Sequence, residues 1–202
     1  MLKYIYLTLL IFPILNVQSD SFSVMSFNVE NLFDTEDDYK KDDKAFLPLS
    51  KKQLNKHKQS CKRIRVKAWK DECLYLDWSE PVKDAKLNNI LNLIIAYEGS
   101  GPDVIVFQEI ENNNILQQLF NLLKPYGYSD YVLLEGNDYR GIDNAVISKY
   151  PIKDSRLHYI KFSGEYSNKD SRPILDVLVD IKGKDIRFYG VHFPAPYLNY
   201  QM

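Results

Sequence analysis

The chain has 202 residues, 26 Lys and Arg against 27 Asp and Glu, two Cys, 45% hydrophobic residues and 13% aromatics. This balance excludes a disordered polyelectrolyte, a collagen, a coiled coil, a disulfide-dense miniprotein and a polytopic membrane protein, and it suits one large domain, or at most two small ones, with a sizeable core. A formal net charge of −1 removes any global electrostatic case for a nucleic-acid binder and leaves only local patches to serve.

In chain order, Lys3, the apolar run from Tyr4 to Val17 and the small side chains at Val17 and Ser19 predict a secretory signal over 1–19, cut near Ser19. A membrane anchor is the competing reading, but about 14 apolar residues interrupted by Pro13 fall short of the ~20 that span a bilayer. The expected location is therefore the periplasm or the extracellular space, with no stable membrane span. The absence of any Asn-x-Ser/Thr sequon is compatible with a bacterial envelope protein. Export gives Cys61 and Cys73, the only two cysteines, an oxidising compartment, so a single disulfide closing a short loop is expected. Zinc held with His57 is the alternative, and it lacks a fourth ligand.

The remainder, 20–202, shows no repeat or composition shift and reads as one domain. Phe22–Phe27 alternates as a strand and ends at Asn28. Residues 34–80 form a charged excursion: six acids lie within 34–43, and nine bases without an acid lie within 51–70. The bases read either as a lip that attracts a phosphate-bearing substrate or as a solvated helical face with an acidic partner nearby. Leu87, Ile90, Leu91, Ile94 and Ile95 form one helical stripe that stops at Gly99 and Gly101. A buried strand over 103–107 ends at Gln108-Glu109, and a second helix carries Leu116, Leu119, Phe120 and Leu123. Strands are then expected over 130–134, 142–148, 156–161, 173–181 and 186–193. The fold class is mixed α/β with strands predominating.

Polar groups at strand ends are where chemistry is to be sought, because loops there project convergent groups over a rigid base. Asn28 and Glu109 stand at two such ends, and an amide with a carboxylate suits a hard cation. A lone Glu in that place also reads as an ordinary turn residue. His192 ends the last strong strand, and Arg172 and Arg140 are candidate phosphate contacts, with surface ion pairing or a purely structural role as the alternative for each.

Five strings in order carry a resemblance: Ser26-Phe27-Asn28-Val29-Glu30-Asn31-Leu32-Phe33-Asp34, Pro102 to Asn112, Arg140 to Ser148, Ser171-Arg172-Pro173 and Val191-His192-Phe193-Pro194. Together they resemble the endonuclease/exonuclease/phosphatase family, the superfamily of deoxyribonuclease I, exonuclease III and bacterial sphingomyelinases. The resemblance implies a two-layer β-sandwich flanked by helices and metal-assisted hydrolysis of a phosphodiester, DNA or RNA included. By carry-over, Glu109 would bind Mg²⁺ (or Mn²⁺), Asn28 would orient the metal or a phosphate oxygen, Arg172 would meet the substrate and His192 would steady the scissile phosphate. Glu30 and Glu111 are expected to support the site rather than to react, and Arg140 and Asp143 to frame it.

The family pattern continues past His-Phe-Pro with a Gly-Asp-Phe-Asn type motif and a Ser-Asp-His type motif, and neither is present in this sequence. None of the three His follows an Asp. The expectation is an exported phosphodiesterase, a nuclease slightly favoured by the basic lip, that is truncated and inactive as it stands; the other class is a non-catalytic exported phosphate-binding or interaction protein. General acid/base assistance alone is worth roughly 10²–10⁴-fold in rate. Since each sheet of the family sandwich comes largely from one half of the chain, one face of the core is expected to lie uncovered, with an insoluble or molten polypeptide as the result.

Overall fold

The computed structural model describes residues 21–168 and 171–193; the expected signal over 1–19 lies outside them. Among these residues, seven strands form two sheets. The first has the order β1 (Val24–Leu32), β2 (Val104–Ile110), β4 (Asp143–Ser148) and β3 (Asp130–Leu133), with β1 and β2 parallel and the other pairs antiparallel. The second is the antiparallel sheet β5 (Ile152–His158), β6 (Ile174–Ile181) and β7 (Lys184–Gly190).

Period-two alternation decides which layer each side chain joins. Ile105 and Phe107 of β2, with Ala145 and Ile147 of β4, face two helices, α4 (Glu80–Ile95) and α5 (Asn113–Leu123). The helices answer with Leu87, Ile90 and Ile94 from one and Ile115, Leu116, Leu119, Phe120 and Leu123 from the other. Asn112 starts α5, its side chain accepting the Ile115 N–H at 3.1 Å. Val104, Val106 and Val146 point the other way, onto Leu175, Val177, Val179 and Ile181 of the second sheet. Strand β2 is therefore covered on both faces, which explains why it reads as a continuous apolar run.

Three expectations change. The predicted strand over 156–161 lies at Ile152–His158, because the polar residues Lys153, Asp154 and Arg156 mask the alternation of half-buried Ile152, Ser155 and Leu157. The strand predicted over 186–193 lies at Lys184–Gly190: Lys182 and Gly183 both take positive φ (55° and 81°) in a two-residue hairpin turn, so pairing resumes at once. Finally, the core face expected to be uncovered is covered by the second sheet over β2 and β4, while the β1 residues on that side, Val24, Ser26 and Asn28, are exposed. The second sheet is built from β5, β6 and β7 of this same chain, and the edge strands are β1 and β3 of the first sheet and β5 and β7 of the second.

Between β1 and α4, the charged excursion folds as three short helices, α1 (Leu49–Lys52), α2 (Asn55–Lys62) and α3 (Lys67–Tyr75), which the sequence reading leaves unassigned. Cys61 and Cys73, buried and bonded to each other, tie α2 to α3. With both sulfurs in that bond, the cluster of His57, Cys61 and Cys73 offers a metal only one imidazole, which removes the zinc alternative. Lys52 is buried at the centre, its ammonium donating to the carbonyls of Ala45, Glu72 and Leu76 at 2.7, 3.1 and 2.6 Å.

Candidate functional site

The site forms where the carboxyl ends of β1 and β2 meet the start of β6 and the end of β7. The β1–β2 register breaks between Asn28 and Leu32, and the β2–β4 register breaks between Gln108 and Ile110. Glu109 is the bulged residue. Its φ is 68°, and Glu30 and Asn31 opposite take 53° and 64°. Three non-glycine residues in the left-handed region at one place carry a conformational cost that recurs at functional sites, and the bulge turns the Glu109 side chain out of the strand's alternation. Two contacts hold this geometry. The Asn31 N–H donates to Glu109 Oε2 at 2.9 Å, while the half-buried Lys86 ammonium donates to the Glu30 carbonyl and, at 3.2 Å, to the Asn31 carbonyl. Burial pushes the Lys86 pKa down, against the pull of Glu30 and Glu109.

Across from Glu109 stands His192, with Nε2 3.3 Å from Glu109 Oε1 and both side chains 14% exposed. Its Nδ1 is buried and, among the described residues, has no hydrogen-bond partner. Burial, and after it the Arg172 guanidinium, holds the imidazole below its ordinary pKa; Glu109 opposes this and Arg140 adds to it. Arg172 Nε donates to Asp138 Oδ2 at 2.7 Å, and Arg140 Nε lies 3.9 Å from Asp138 Oδ1. Asp138 thus holds both arginines on the His192 side of the cleft. What brings the second sheet over the first is Asn144 of β4, whose Nδ2 donates to the carbonyls of Pro173 (3.4 Å) and Gly190 (3.2 Å). Gly190 permits that approach, since a Cβ there would stand 3.2 Å from Val106 Cγ1 and 3.4 Å from Asn144 Cβ.

Asn28, Glu109, Arg140, Arg172 and His192 all lie at this end of the sandwich. Asn28 is opposite Gln108 in the ladder, exposed, with Oδ1 accepting the Glu30 N–H at 2.8 Å. Glu111 does not join: its buried carboxyl turns toward the loop after β1, Oε2 accepting the Asp34 N–H at 2.7 Å, and burial with nearby Asp34, Asp38 and Asp43 pushes its pKa up to about 9. Asp143 frames the cleft through the Gly136 N–H at 3.0 Å. Sequence reasoning missed Lys86, Asp138 and Asn144, each of which acts through partners remote in the chain.

The donor chemistry fits a hard cation. Among the described residues, no lysine or arginine lies within ion-pair distance of Glu109, whose only such neighbour is His192. A carboxylate beside an exposed amide oxygen at two adjacent strand ends is an all-oxygen donor set. A groove of about 590 Å³ runs from here toward the helical excursion, between Asn31 and Arg140 on one side and Ile64, Trp69 and Tyr139 on the other. Trp69 and Tyr139 are 63% and 68% exposed. Among the described residues, Lys56, Lys62, Arg63 and Arg65 of the excursion take no carboxylate partner, whereas Lys51 pairs with Glu36 and Lys67 with Asp71. An acidic partner, one of the two readings of the basic stretch, is therefore present for Lys51 and Lys67.

A profile described as the Endonuclease/Exonuclease/phosphatase family matches residues 23–68 and 75–198. The Phospholipase C of Staphylococcus aureus is 27% identical over 106 residues, 45% of this chain and 32% of that protein. The chain spans about a third of the length of the curated relatives it matches. Among solved structures, an endonuclease/exonuclease/phosphatase family protein from Leptotrichia buccalis C-1013-b is 22% identical with a TM-score of 0.41, over 60% of this chain and 53% of that one. A beta hairpin deletion mutant of beta toxin from Staphylococcus aureus is 17% identical with a TM-score of 0.42, over 83% and 49% respectively.

Proposed function

The chain belongs to the endonuclease/exonuclease/phosphatase family, and from that membership we propose that residues 20–202 are the metal- and phosphate-binding portion of an exported phosphodiesterase. Glu109 and Asn28 hold Mg²⁺ (or Mn²⁺), and Arg172, Arg140 and His192 receive the phosphate. The observation that carries this reading is the convergence of one strained carboxylate and three nitrogen-bearing side chains on a single cleft, with His192 Nε2 3.3 Å from Glu109 Oε1. A bound divalent ion withdraws charge from a phosphoryl oxygen. Asp138 keeps the two guanidiniums oriented, so charge growing on the phosphate meets donors already in place. His192 donates a ring N–H to a phosphate oxygen, which carries no proton and so accepts.

A nuclease is the favoured specificity. The unpaired cations of the excursion suit a polyanion, and the exposed faces of Trp69 and Tyr139 suit stacked bases. The name of the curated relatives, Phospholipase C, favours a lipid phosphodiester instead. In-line hydrolysis at full rate needs a general base beside the attacking water; the Asp-paired histidine among the described residues, His158 with Asp176 at 2.9 Å, shares that aspartate with Arg156 and Arg187. We assign no such base in the cleft among the described residues, so this chain is expected to bind metal and phosphate with little turnover.

The test is a titration of a fluorescent single-stranded oligonucleotide and, separately, of sphingomyelin vesicles, with and without MgCl₂. Mg²⁺-strengthened oligonucleotide binding that Glu109→Gln abolishes is the expected result, with Arg172→Ala weakening binding about tenfold at any Mg²⁺ level. Binding to vesicles alone would reassign the substrate to lipid. Binding that ignores both Mg²⁺ and Glu109→Gln would overturn the metal role.

A further inference from the structure

The groove beside the cleft has walls with a chemistry of their own. One wall is α3, where Trp69 and Glu72, three residues apart, share a helix face. The other is the loop after β3, which presents Tyr139 next to Arg140. Both walls are anchored. Cys73, directly after Glu72, is bonded to Cys61 of α2, and the Glu72 carbonyl accepts from the buried Lys52 ammonium at 3.1 Å. Opposite, the Tyr139 carbonyl accepts the Asp42 N–H at 3.0 Å, and the Arg140 N–H donates to Asp138 Oδ1 at 2.8 Å. Since Asp138 also holds Arg172, the groove opens onto the arginine side of the cleft. Its two carboxylates differ. Asp42 holds the Lys44 ammonium at 2.8 Å, whereas Glu72, among the described residues, has no lysine or arginine within ion-pair distance. Lys44 spends one of its three N–H groups on Asp42 and keeps two.

Aromatic faces stack on any base, but an ionised carboxylate only accepts, and its two oxygens match two adjacent N–H donors. Among the nucleobases guanine carries such a pair on one edge, N1–H and N2–H₂, and it also carries an acceptor pair, O6 and N7, that suits Lys44. Adenine and cytosine offer one amino group, and thymine and uracil one ring N–H. We propose that the groove is a base-reading subsite that takes guanine, stacked on Trp69 and Tyr139 with its N1–H and N2–H₂ edge on Glu72. This subsite presupposes the nuclease reading of the cleft and adds a base preference to it. A quaternary ammonium would also suit aromatic faces and a carboxylate, but Lys44 and Arg140 line the same groove and repel a permanent cation.

The experiment follows tryptophan fluorescence of the full chain at fixed ionic strength without added metal. Guanosine, inosine and adenosine 5′-monophosphates are titrated in, and phosphocholine separately. Trp78 is 7% exposed against 63% for Trp69, so contact quenching reads Trp69, and Trp69→Phe should abolish it. Guanosine monophosphate is expected to quench saturably. It should bind at least about fivefold more tightly than the adenosine form and than the inosine form, which lacks only the N2 amino group. Glu72→Gln, a change at an exposed position that leaves the fold intact, brings guanosine monophosphate to the inosine level. Tyr139→Ala weakens all three nucleotides alike, by at least about fivefold. Equal binding of the guanosine and inosine forms, an unaltered titration in Glu72→Gln, or tighter binding of phosphocholine would overturn the subsite. So would the lack of any quenching up to about 10 mM nucleotide. The cleft reading fails separately: oligonucleotide binding that ignores Mg²⁺ and Glu109→Gln would remove the metal site and leave the metal-free guanine selectivity in place.

Discussion

Glu109 shows how one residue becomes a candidate ligand through its backbone. In an unbroken strand its side chain would follow the pleat; at φ 68° it leaves the ladder and faces His192, while Asn31 and Lys86 hold the bulge in place. Asp143 shows the opposite case, a framing carboxyl whose Oδ2 is buried without a partner. Burial raises its pKa from 3.8 to about 6. A folded-state value above the unfolded one means that its contribution to stability is at its best below about pH 4, declines as pH rises through about 6, and above that remains as a constant penalty of about 2–3 kcal/mol. Asp143→Asn keeps an oxygen for the Gly136 N–H, so it should raise the melting temperature at pH 8 and give no gain at pH 4. Equal gains at both values would show that charge is not the cause. At this scale the strand-end polar residues, Asn28, Glu109 and His192, were legible as the places where apolar runs stop. Their fixing partners were not: Arg172 meets Asp138 from 34 positions away and Asn144 meets Gly190 from 46.

Among the elements, α4, α5 and β2 declared themselves by period, and the excursion did not. Its helices α2 and α3 are too charged to show a strong apolar stripe, and they are held instead by a disulfide and by the buried Lys52 ammonium, neither of which leaves a periodic trace. The same two devices predict how the excursion fails. Replacing both cysteines by serine opens a link between residues 12 apart in sequence, with an expected local loss of about 3 kcal/mol. Trypsin should then cut within 51–70 much faster than in the parent, while far-UV circular dichroism from the two sheets changes little. Unchanged proteolysis would mean that Lys52 and its three carbonyls suffice. The hairpin turn at Lys182-Gly183 was likewise underread: it reverses the chain within two residues and so begins β7 earlier than its apolar content suggests.

In the whole molecule, the decisive feature is that the second sheet closes over the first. Helices cover one face of β2 and β4, and Leu175, Val177 and Val179 cover the other, so the face expected to lie open is closed over these two strands. Val177→Ala, at a fully buried position between the sheets, should cost about 2–3 kcal/mol and lower a single, sharp melting transition of the monomer. A broad melt without a pretransition baseline in the parent would show that the sheets do not fold as one unit. The sequence by itself determined the family, the mixed α/β class, the order of most elements and the strand ends at which chemistry is placed, because apolar periodicity and short motifs are local properties of the chain. The tertiary structure decided which residues share the cleft, that Glu111 turns away from it while Asp138 and Lys86 support it, and that a second sheet covers the core. Those outcomes depend on long-range pairing and on the direction in which a bulge turns one side chain, and neither is written in any single segment.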